Sequence, residues 1–241
     1  MSKPAVLITG GTSGLGLSIA EELSNDYQLF NLSRSKPDNS ISSLFEFSTE
    51  LDLLDNESSI RESLKTLKGF SKPFSAFVGC SGMQKIAPIT SIRESDLYDL
   101  FKLNVFSNVI LIKNLLRLGM INDGASIVMM SSISSKNPDA GLSNYSMTKA
   151  AIDNFVKVAA LEFADRGIRV NSIRSGMIQT PMIQKERAYT PAFLEKEIAK
   201  YKLGEGTAND VANLVKFLIS DRSIWLTGQN IMLDGGRSLN S

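Results

Sequence analysis

Short apolar runs alternate along this chain with longer segments whose apolar residues recur at helical spacing. The first run, Ala5–Thr9, is apolar at every position before its last residue, as expected for a strand that is covered on both faces. Strands are predicted in this way at residues 5–9, 27–32, 44–47, 74–78, 126–130, 168–173 and 229–233. Helices are predicted between them, at residues 15–23, 55–67, 91–118, 144–163 and 207–218. Because strands that alternate with helices form parallel sheets wrapped on both faces, the pattern predicts a single α/β domain over residues 1–241.

Two helix starts and one irregular region add detail to this prediction. Ser91-x-x-Glu94 and Thr207-x-x-Asp210 both have the spacing of a capping box, in which two side chains satisfy free backbone N–H groups. Residues 177–203 break the alternation, since they are polar and predict only short helical pieces. We interpret them as an insertion that covers a site. In an open parallel sheet, ligands bind beyond the carboxyl ends of the strands, so we expect the chemistry there.

Composition excludes several kinds of chemistry. The chain has no histidine, which excludes Ser-His-Asp and Cys-His hydrolysis and histidine-based zinc or iron sites. Cys80 is its single cysteine, so neither an internal disulfide nor a Cys-x-x-Cys metal site can form, and we expect no metal. An acid or base catalyst must therefore be a Tyr, Lys, Asp or Glu residue or Cys80.

Charge and hydropathy indicate an ordinary soluble protein. The net charge of +1 and the hydrophobic share of 43% point to neither a nucleic acid nor a membrane as partner. No apolar run is as long as a membrane span, and the first residues do not resemble a secretory signal. We therefore expect a cytoplasmic protein.

A glycine-rich turn follows the first predicted strand, with Gly10, Gly14 and Gly16 in the order GxxxGxG. Glycines let the backbone turn tightly and approach a pyrophosphate, which the N-terminus of the following helix stabilises through its free N–H groups and its dipole. The position after the first strand favours a dinucleotide site, although a glycine-rich turn without a ligand would have the same sequence.

A candidate acid/base group follows the fifth predicted strand. Ser132 comes just after that strand, and Tyr145 and Lys149 share one face of the next helix, because residues four apart in a helix are neighbours. A tyrosine has an unperturbed pKa of about 10, and a nearby lysine ammonium lowers that pKa by stabilising the phenolate. Ser132 would hold a substrate oxygen while Tyr145 transfers the proton. A Tyr-x-x-x-Lys pair also arises by chance, so its position after this strand carries the prediction.

The chain resembles the short-chain dehydrogenase/reductase family over nearly its whole length, in the compact single-domain branch, and is similar to 3-oxoacyl-carrier-protein reductases. The resemblance rests on the order and spacing of short motifs. These are Thr9-Gly10-x-x-x-Gly14-x-Gly16, Asp52, Asn104, Ser132…Tyr145-x-x-x-Lys149, Asn171…Gly176…Thr180 and Gly228-Gln229…Asp234-Gly235-Gly236. The resemblance implies a Rossmann-type doubly wound parallel sheet of about seven strands, with helices on both faces. It also implies hydride transfer between a nicotinamide cofactor and a carbonyl or secondary alcohol.

The resemblance assigns roles to individual residues. The implied catalytic residues are Asn104, Ser132, Tyr145 and Lys149, with Asn104 holding a water that links Lys149 to solvent. The implied cofactor-binding residues are Gly10, Thr12, Ser13, Gly14, Leu15, Gly16, Ser33, Arg34, Asp52, Leu53, Gly82, Tyr145, Lys149, Gly176, Ile178 and Thr180. The implied substrate residues are Gln84, Ser134, Leu142 and Met177. A homo-oligomer, either a tetramer or a dimer, is implied as well, and the apolar stretch 105–118 permits such packing.

Two motifs depart from the family pattern. Gly79-Cys80-Ser81-Gly82 stands where the family has Asn-Asn-Ala-Gly, so Gly79 lacks a side chain that would brace the neighbouring strands. Ser175-Gly176 replaces Pro-Gly, which removes a fixed φ from the loop after the sixth strand. We interpret Cys80 as a small buried filler rather than a nucleophile.

The end of the second strand predicts the choice of cofactor. NAD-binding enzymes place an acidic residue there for the adenosine 2′-hydroxyl. This chain has Leu32-Ser33-Arg34-Ser35-Lys36, with no carboxylate and with a guanidinium suited to a 2′-phosphate. We therefore expect NADP(H) to be preferred over NAD(H), unless Arg34 is only a solvated loop charge.

Several alternatives stay open on the sequence. A catalytically silent NADP(H)-binding sensor or scaffold would keep the same residues without turnover. A nucleotide-sugar epimerase would need the motif TGxxGxxG and a larger C-terminal domain, and a Rossmann-like methyltransferase would leave Ser132, Tyr145 and Lys149 unexplained. We expect a small-molecule or thioester carbonyl as substrate. Arg174 either forms a structural ion pair, which we favour, or binds an acidic group of that substrate.

Overall fold

The computed structural model describes residues 3–181 and 191–240, with the backbone alone at 191–194 and 240, so residues 182–190 of the predicted insertion lie outside the described residues. The strands in the described part are β1 (Ala5–Thr9), β2 (Gln28–Ser33), β3 (Phe47–Glu50), β4 (Phe74–Gly79), β5 (Ile121–Ser132), β6 (Arg169–Ser175), β7 (Ile178–Gln179), β8 (Gly206–Thr207) and β9 (Asn230–Leu233). Seven of these form one parallel sheet in the order β3-β2-β1-β4-β5-β6-β9, and the short strands β7 and β8 pair with each other. The prediction of a doubly wound parallel sheet of about seven strands is confirmed.

Helices connect the strands of the large sheet. They are α1 (Gly14–Leu23), α2 (Glu57–Lys68), α3 (Glu94–Phe101), α4 (Ser107–Arg117), α5 (Ser143–Glu162), α6 (Pro191–Ile198) and α7 (Ala208–Ile219). Within residues 3–181 and 191–240, none of the helices combines the length and the apolar character needed to cross a bilayer.

The continuously apolar strands are explained by helices on both faces of the sheet. In β1, the side chain of Leu7 packs in a core formed with α2, α4 and α5, whereas Val6 and Ile8 pack in a second core formed with α1 and α7. Side chains alternate between the two faces of a strand, so both faces of β1 must be apolar.

The strand order determines where a ligand can enter. β1 lies between β2 and β4. The strands β2 and β3 follow on one side of β1, and β4, β5, β6 and β9 follow on its other side. A crevice opens at the carboxyl ends of the strands where the order reverses in this way. Thr9 and Gly79 end β1 and β4 side by side, and β5, in which Met129 lies beside Gly79, continues three residues further to Ser132.

One predicted capping box is confirmed and the other is wrong. At the start of α7, the Thr207 hydroxyl accepts the Asp210 N–H, and the Asp210 carboxylate accepts the Thr207 N–H at 2.8 Å. At the other position, Ser91 lies in a separate 3₁₀ turn and the helix begins only at Glu94. The backbone between them is extended, with ψ of 140° at Arg93, so the Ser91 hydroxyl cannot reach the first turn.

Further elements differ from their predicted bounds, among them the fifth strand, which was predicted at 126–130 and runs over Ile121–Ser132. The helix predicted over residues 91–118 is interrupted by a π turn, Lys102–Phe106, which joins α3 to α4. The strand predicted at 44–47 begins only at Phe47, because residues Ser42–Leu44 form a 3₁₀ turn before it. Apolar periodicity does not distinguish a π turn from an α-helix, so the sequence pattern alone could not show the interruption.

Candidate active site

The glycine-rich turn after β1 depends on backbone contacts that a side chain would prevent. Gly10 has a positive φ of 71°, and its N–H donates to the Leu32 carbonyl at 2.8 Å. A Cβ on Gly16 would lie 2.2 Å from the Gly10 carbonyl oxygen, closer than two such atoms can approach. The first turn of α1 therefore packs directly against the glycine turn, as an anion site at a helix N-terminus requires. Thr12, Ser13, Gly14 and Leu15 form the rest of the turn and the helix start.

Asn31 holds this turn from beneath, and sequence reasoning did not find it. Its Oδ1 accepts the Gly11 N–H at 2.9 Å, while its Nδ2 donates to the Ser33 hydroxyl at 2.7 Å and the Ser48 hydroxyl at 2.8 Å. The side chain is fully buried, so these bonds satisfy an amide that would otherwise be costly to bury. The sequence signal that could have identified Asn31 is its place as a polar residue within the apolar run of the second strand.

A second buried anchor, Thr9, joins the ends of β1 and β4. Its hydroxyl oxygen accepts the N–H groups of Cys80 at 3.1 Å and Ser81 at 3.2 Å. This pair of bonds sets the path of the loop that leads to Gly82. A Cβ on Gly82 would lie 3.8 Å from the Lys149 Nζ, so the loop passes close to the predicted catalytic lysine.

The cofactor residues predicted at the end of β2 and after β3 occupy different environments. Ser33 is buried at the end of β2, and Arg34, which follows it, is exposed. The Asp52 carboxylate accepts the N–H of Leu54 at 2.9 Å within its own loop. The Leu53 side chain is packed in the core, which leaves its backbone for the predicted contact.

Ser132, Tyr145 and Lys149 come together where β5 ends and α5 begins. The Lys149 ammonium lies 5.4 Å from the centre of the Tyr145 ring and donates to the Met130 carbonyl at 2.8 Å. The Ser132 hydroxyl is 3.2 Å from the Ser134 hydroxyl and accepts the Ser134 N–H at the same distance. A hydroxyl, a phenol and an ammonium therefore converge on one region, as proton transfer to or from a bound oxygen requires.

Burial and a nearby carboxylate act in opposite directions on Lys149. Burial lowers the pKa of Lys149 to about 8, and the charge of Asp153 one turn further along α5 opposes that decrease. Asp153 is itself paired with Arg174, whose Nε lies 2.8 Å from the carboxylate. The structural ion pair favoured for Arg174 is thus confirmed.

Asn104 lies in the π turn, and a Cβ on Gly82 would lie 3.3 Å from its Oδ1, on the same side of the loop as the Lys149 Nζ. Its side chain is fully buried, accepting the Met83 N–H and donating to the Met83 carbonyl, both at 2.9 Å. Its Nδ2 also donates to the Thr148 hydroxyl at 3.1 Å, next to Lys149 in the sequence. Asn104 therefore holds the loop and α5 together, and its role in a proton relay stays a prediction.

The side chains of Asn108 and Met129 fill the space that a side chain at position 79 would occupy. A Cβ on Gly79 would lie 2.9 Å from the Asn108 Oδ1 and 3.1 Å from the Met129 Sδ. Asn108 also donates to the Asn104 carbonyl at 2.9 Å. Cys80, which follows Gly79, packs against the second core, and burial raises the pKa of the Cys80 thiol to about 12. Both observations agree with a buried filler and not with a nucleophile.

The loop after β6 is shaped by Tyr201, which sequence reasoning also did not find. The Tyr201 hydroxyl oxygen accepts the Met177 N–H at 2.8 Å, and a Cβ on Gly176 would lie 2.6 Å from the Tyr201 ring. Gly176 is therefore required by the packing of this ring. Ile178, buried in β7, and Thr180 follow along the same loop.

A cavity of about 190 Å³ opens beside Ser132 and Tyr145. The four predicted substrate residues, Gln84, Ser134, Leu142 and Met177, all line it, and their contact with a substrate stays a prediction. Further residues that line it lie outside these four: Ile86, Ile133, Asp139, Ala140, Glu197 and Tyr201. Among residues 3–181 and 191–240, no cluster of three or more His, Cys, Asp or Glu side chains is suited to a metal ion.

Comparison with known proteins agrees with this arrangement. A family model described as "Enoyl-(Acyl carrier protein) reductase" matches residues 11–238. The chain is 32% identical to a diacetyl reductase [(S)-acetoin forming] of Staphylococcus epidermidis, over 98% of each chain. It is 29% identical to the 3-oxoacyl-[acyl-carrier-protein] reductase FabG of Haemophilus influenzae, over the full length of both.

Solved structures give the same result. A short chain dehydrogenase family protein from Francisella tularensis superposes with a TM-score of 0.89 at 26% identity, covering 99% of this chain and 100% of that one. ElxO with NADP bound superposes with a TM-score of 0.86 at 28% identity, over the full length of both chains. The full-length matches, together with the residues gathered at the ends of β1, β4 and β5, show that the chain belongs to the short-chain dehydrogenase/reductase family of oxidoreductases.

Proposed function

We propose that this protein is an NADP(H)-dependent oxidoreductase that interconverts a carbonyl compound and a secondary alcohol, with Tyr145 as the acid/base. One observation carries the proposal. The Tyr145 ring lies 5.4 Å from a buried ammonium, and both Tyr145 and Ser132 line the same cavity. Every feature of this site that a silent sensor would explain is explained equally well by an enzyme.

The residues at the strand ends fit a dinucleotide. The Gly10–Gly16 contact leaves no room for a side chain between the turn and α1, so N–H groups of the turn and of the first helical turn can approach a pyrophosphate. Gly82, Gly176, Ile178 and Thr180 would hold the remainder of the molecule along the crevice. A bound nicotinamide would supply or accept the hydride at the substrate carbon.

Each catalytic side chain has a separate task in the proposed reaction. The Ser132 hydroxyl donates a hydrogen bond to the substrate oxygen and orients it. Tyr145 gives its phenolic proton to that oxygen during reduction and removes it during oxidation. The Lys149 ammonium stabilises the phenolate that remains, because an opposite charge nearby favours the ionised form. Asn104 connects the Gly82 loop to α5 next to Lys149, through hydrogen bonds to the Met83 carbonyl and the Thr148 hydroxyl.

Preference for NADP(H) is proposed from the residues that follow β2. Arg34 is exposed there, and residues 33–36 include no carboxylate that would repel a 2′-phosphate. A guanidinium binds phosphate with paired, charge-assisted hydrogen bonds, so it favours the phosphorylated cofactor. The relative ElxO was solved with NADP bound.

We propose that the protein forms a homo-oligomer through α4 and α5. An apolar groove runs between these helices, lined by Val105, Phe106, Val109, Ile110, Ala151, Asn154 and Phe155. Phe106 is about half exposed, whereas most phenylalanine side chains of folded proteins are buried. Sedimentation analysis of the purified protein tests this proposal, and a monomer at micromolar concentration would contradict it.

The first experiment measures binding of NADPH and NADH to the purified protein by the fluorescence of the reduced nicotinamide. Oxidation of the bound cofactor is then followed with ketones, aldehydes and 3-oxoacyl thioesters. Tighter binding of NADPH, together with turnover of a carbonyl compound, is the expected result. Absence of binding by both cofactors would refute the proposal, and binding without turnover across the whole panel would favour the silent sensor.

A further inference from the structure

Two acidic side chains face the cavity that contains Ser132 and Tyr145. Asp139 lies in the loop before α5, and Glu197 lies on α6 within the insertion. Among the described residues that line the cavity, no lysine or arginine accompanies them. The charge presented to a substrate by this part of the wall is therefore negative.

Arg237 bridges the two carboxylates from outside the cavity lining. Its guanidinium nitrogen lies 3.2 Å from the Asp139 carboxylate and 3.5 Å from that of Glu197, and its side chain is only 10% exposed. Lys200, on the exposed side, forms an ion pair with Glu197. These cations hold the two carboxylates in place and compensate their charge without facing the substrate.

The C-terminal Asp234-Gly235-Gly236 motif places Arg237 in this position. After β9, the Asp234 carboxylate accepts the N–H groups of Gly236 at 3.1 Å and Ser238 at 2.7 Å, which closes a tight turn. Gly236 has a φ of 81°, a conformation that other residues rarely adopt. The turn thus directs the Arg237 side chain toward α6 and the Asp139 loop, so it joins these two segments of the cavity wall.

The size of the cavity limits what it can accept. Its volume of about 190 Å³ is below the ~300 Å³ at which drug-sized sites begin. Leu15, Ile178 and Thr180, which are proposed to bind the cofactor, line part of it, so the substrate has less than the whole volume. Ile86, Ile133 and Leu142 make much of the remaining wall apolar.

We propose that the Asp139–Arg237–Glu197 cluster makes this cavity selective for small, uncharged carbonyl compounds that carry a hydroxyl group, and selective against carboxylates of the same size. This proposal rests on the proposed function and names its substrate class. A carboxylate accepts up to about four hydrogen bonds, so the Asp139 Oδ2, which neither Arg237 nor Lys200 contacts, and the remaining lone pairs of Glu197 can accept a substrate hydroxyl. The two carboxylates line the cavity and the two cations that compensate them do not, so an anionic substrate would be desolvated nearer to like charges than to opposite ones. Such repulsion is an effective source of specificity.

The test compares two ketones with the same carbon skeleton, 4-hydroxybutan-2-one and acetoacetate. Steady-state kcat/KM is measured for each with NADPH, and the dissociation constant of each is measured on the enzyme–NADPH complex by nicotinamide fluorescence. The wild type is expected to favour the hydroxyketone by at least about tenfold in both measurements, the scale expected of a like charge a few ångströms away. The binding measurement keeps the test valid even where turnover is slow.

Matched variants separate charge from shape. The double variant Asp139→Asn, Glu197→Gln keeps the side-chain sizes and removes both charges, so discrimination against acetoacetate should fall by about tenfold. Arg237→Gln removes one of the two compensating cations, leaves Lys200 beside Glu197, and should increase discrimination. Asp26→Asn is the control: Asp26 belongs to an exposed ion pair with Lys216, just before the amino end of β2 and thus at the opposite edge of the sheet. It should leave the ratio of the two ketones unchanged.

The outcomes distinguish this proposal from the proposed function. Turnover of acetoacetate at least as efficient as that of the hydroxyketone would overturn the selectivity proposal and leave the oxidoreductase assignment intact. Equal dissociation constants for the two ketones, with or without turnover, would overturn it as well. A loss of cofactor binding in the wild type would instead refute the proposed function.

Discussion

The Lys149 ammonium donates a hydrogen bond of 2.8 Å to the Met130 carbonyl, and this bond fixes the position of the charge beside Tyr145. Met130 lies in β5, two residues before Ser132, so the strand that carries the serine also anchors the lysine. The hydroxyl, the phenol and the ammonium are therefore positioned by a single strand–helix pair, β5 and α5.

Replacing Tyr145 by phenylalanine tests the acid/base directly. The ring remains and only the hydroxyl is lost, so NADPH binding should persist while kcat falls by about 10² to 10⁴, the usual contribution of a general acid/base. Tyr98→Phe provides the matched control, because Tyr98 is an exposed residue of α3. Rates that are unchanged in Tyr145→Phe would contradict the mechanism.

The buried Lys149 predicts a specific dependence of stability on pH. Burial lowers its pKa to about 8 in the folded protein, whereas a lysine in an unfolded chain has a pKa of about 10.4. Between these values the unfolded chain binds more protons than the folded one, so the free energy of unfolding rises with pH. Relative to Lys149→Met, the cofactor-free wild type should gain about 3 kcal/mol from pH 7 to pH 10.5. Urea unfolding of both proteins measures this difference, and parallel profiles would show that the ammonium is not buried.

Arg34 predicts the cofactor preference. Changing Arg34 to glutamate replaces a phosphate-binding guanidinium with a carboxylate that repels a 2′-phosphate and accepts a ribose hydroxyl. The KM for NADPH should rise by at least about tenfold, while the KM for NADH stays level or falls. Arg222→Glu is the control, since Arg222 is exposed near the amino end of β9, away from the cofactor crevice. An unchanged KM for NADPH in Arg34→Glu would mean that Arg34 is a solvated charge.

Gly16 predicts a steric limit at the glycine turn. An alanine there would place its Cβ 2.2 Å from the Gly10 carbonyl oxygen, so the turn and α1 must separate. The expected cost is about 1–3 kcal/mol in the free energy of unfolding, with loss of NADPH binding. In Gly69→Ala the substitution is at an exposed helix end with a φ of −66°, and cofactor binding should be retained. Normal cofactor binding by Gly16→Ala would contradict the proposed pyrophosphate site.

Elements with a strong local pattern could be predicted from the sequence. β1 is a continuous apolar run bounded by a glycine turn, and Thr207 with Asp210 forms the predicted capping box. The Ser91 prediction failed although its spacing is the same, because the extended backbone at Ile92 and Arg93 separates Ser91 from the helix. A capping motif needs the correct backbone conformation as well as the residue types, and spacing reports only the types.

The sequence by itself determined the fold class and which side chains can carry the chemistry. Alternating apolar strands and helices specify a parallel sheet, and the absence of histidine leaves Tyr145 and Lys149 as the natural acid/base pair. Only the tertiary structure decided which residues position the glycine turn, the loop after β6 and the cavity wall around those side chains. Asn31, Tyr201 and Arg237 act on residues distant in the sequence, 20 positions away for the Asn31–Gly11 bond and 98 for the Arg237–Asp139 bond. Their partners come from different strands and loops that meet only in the folded chain, and no local periodicity records such a meeting.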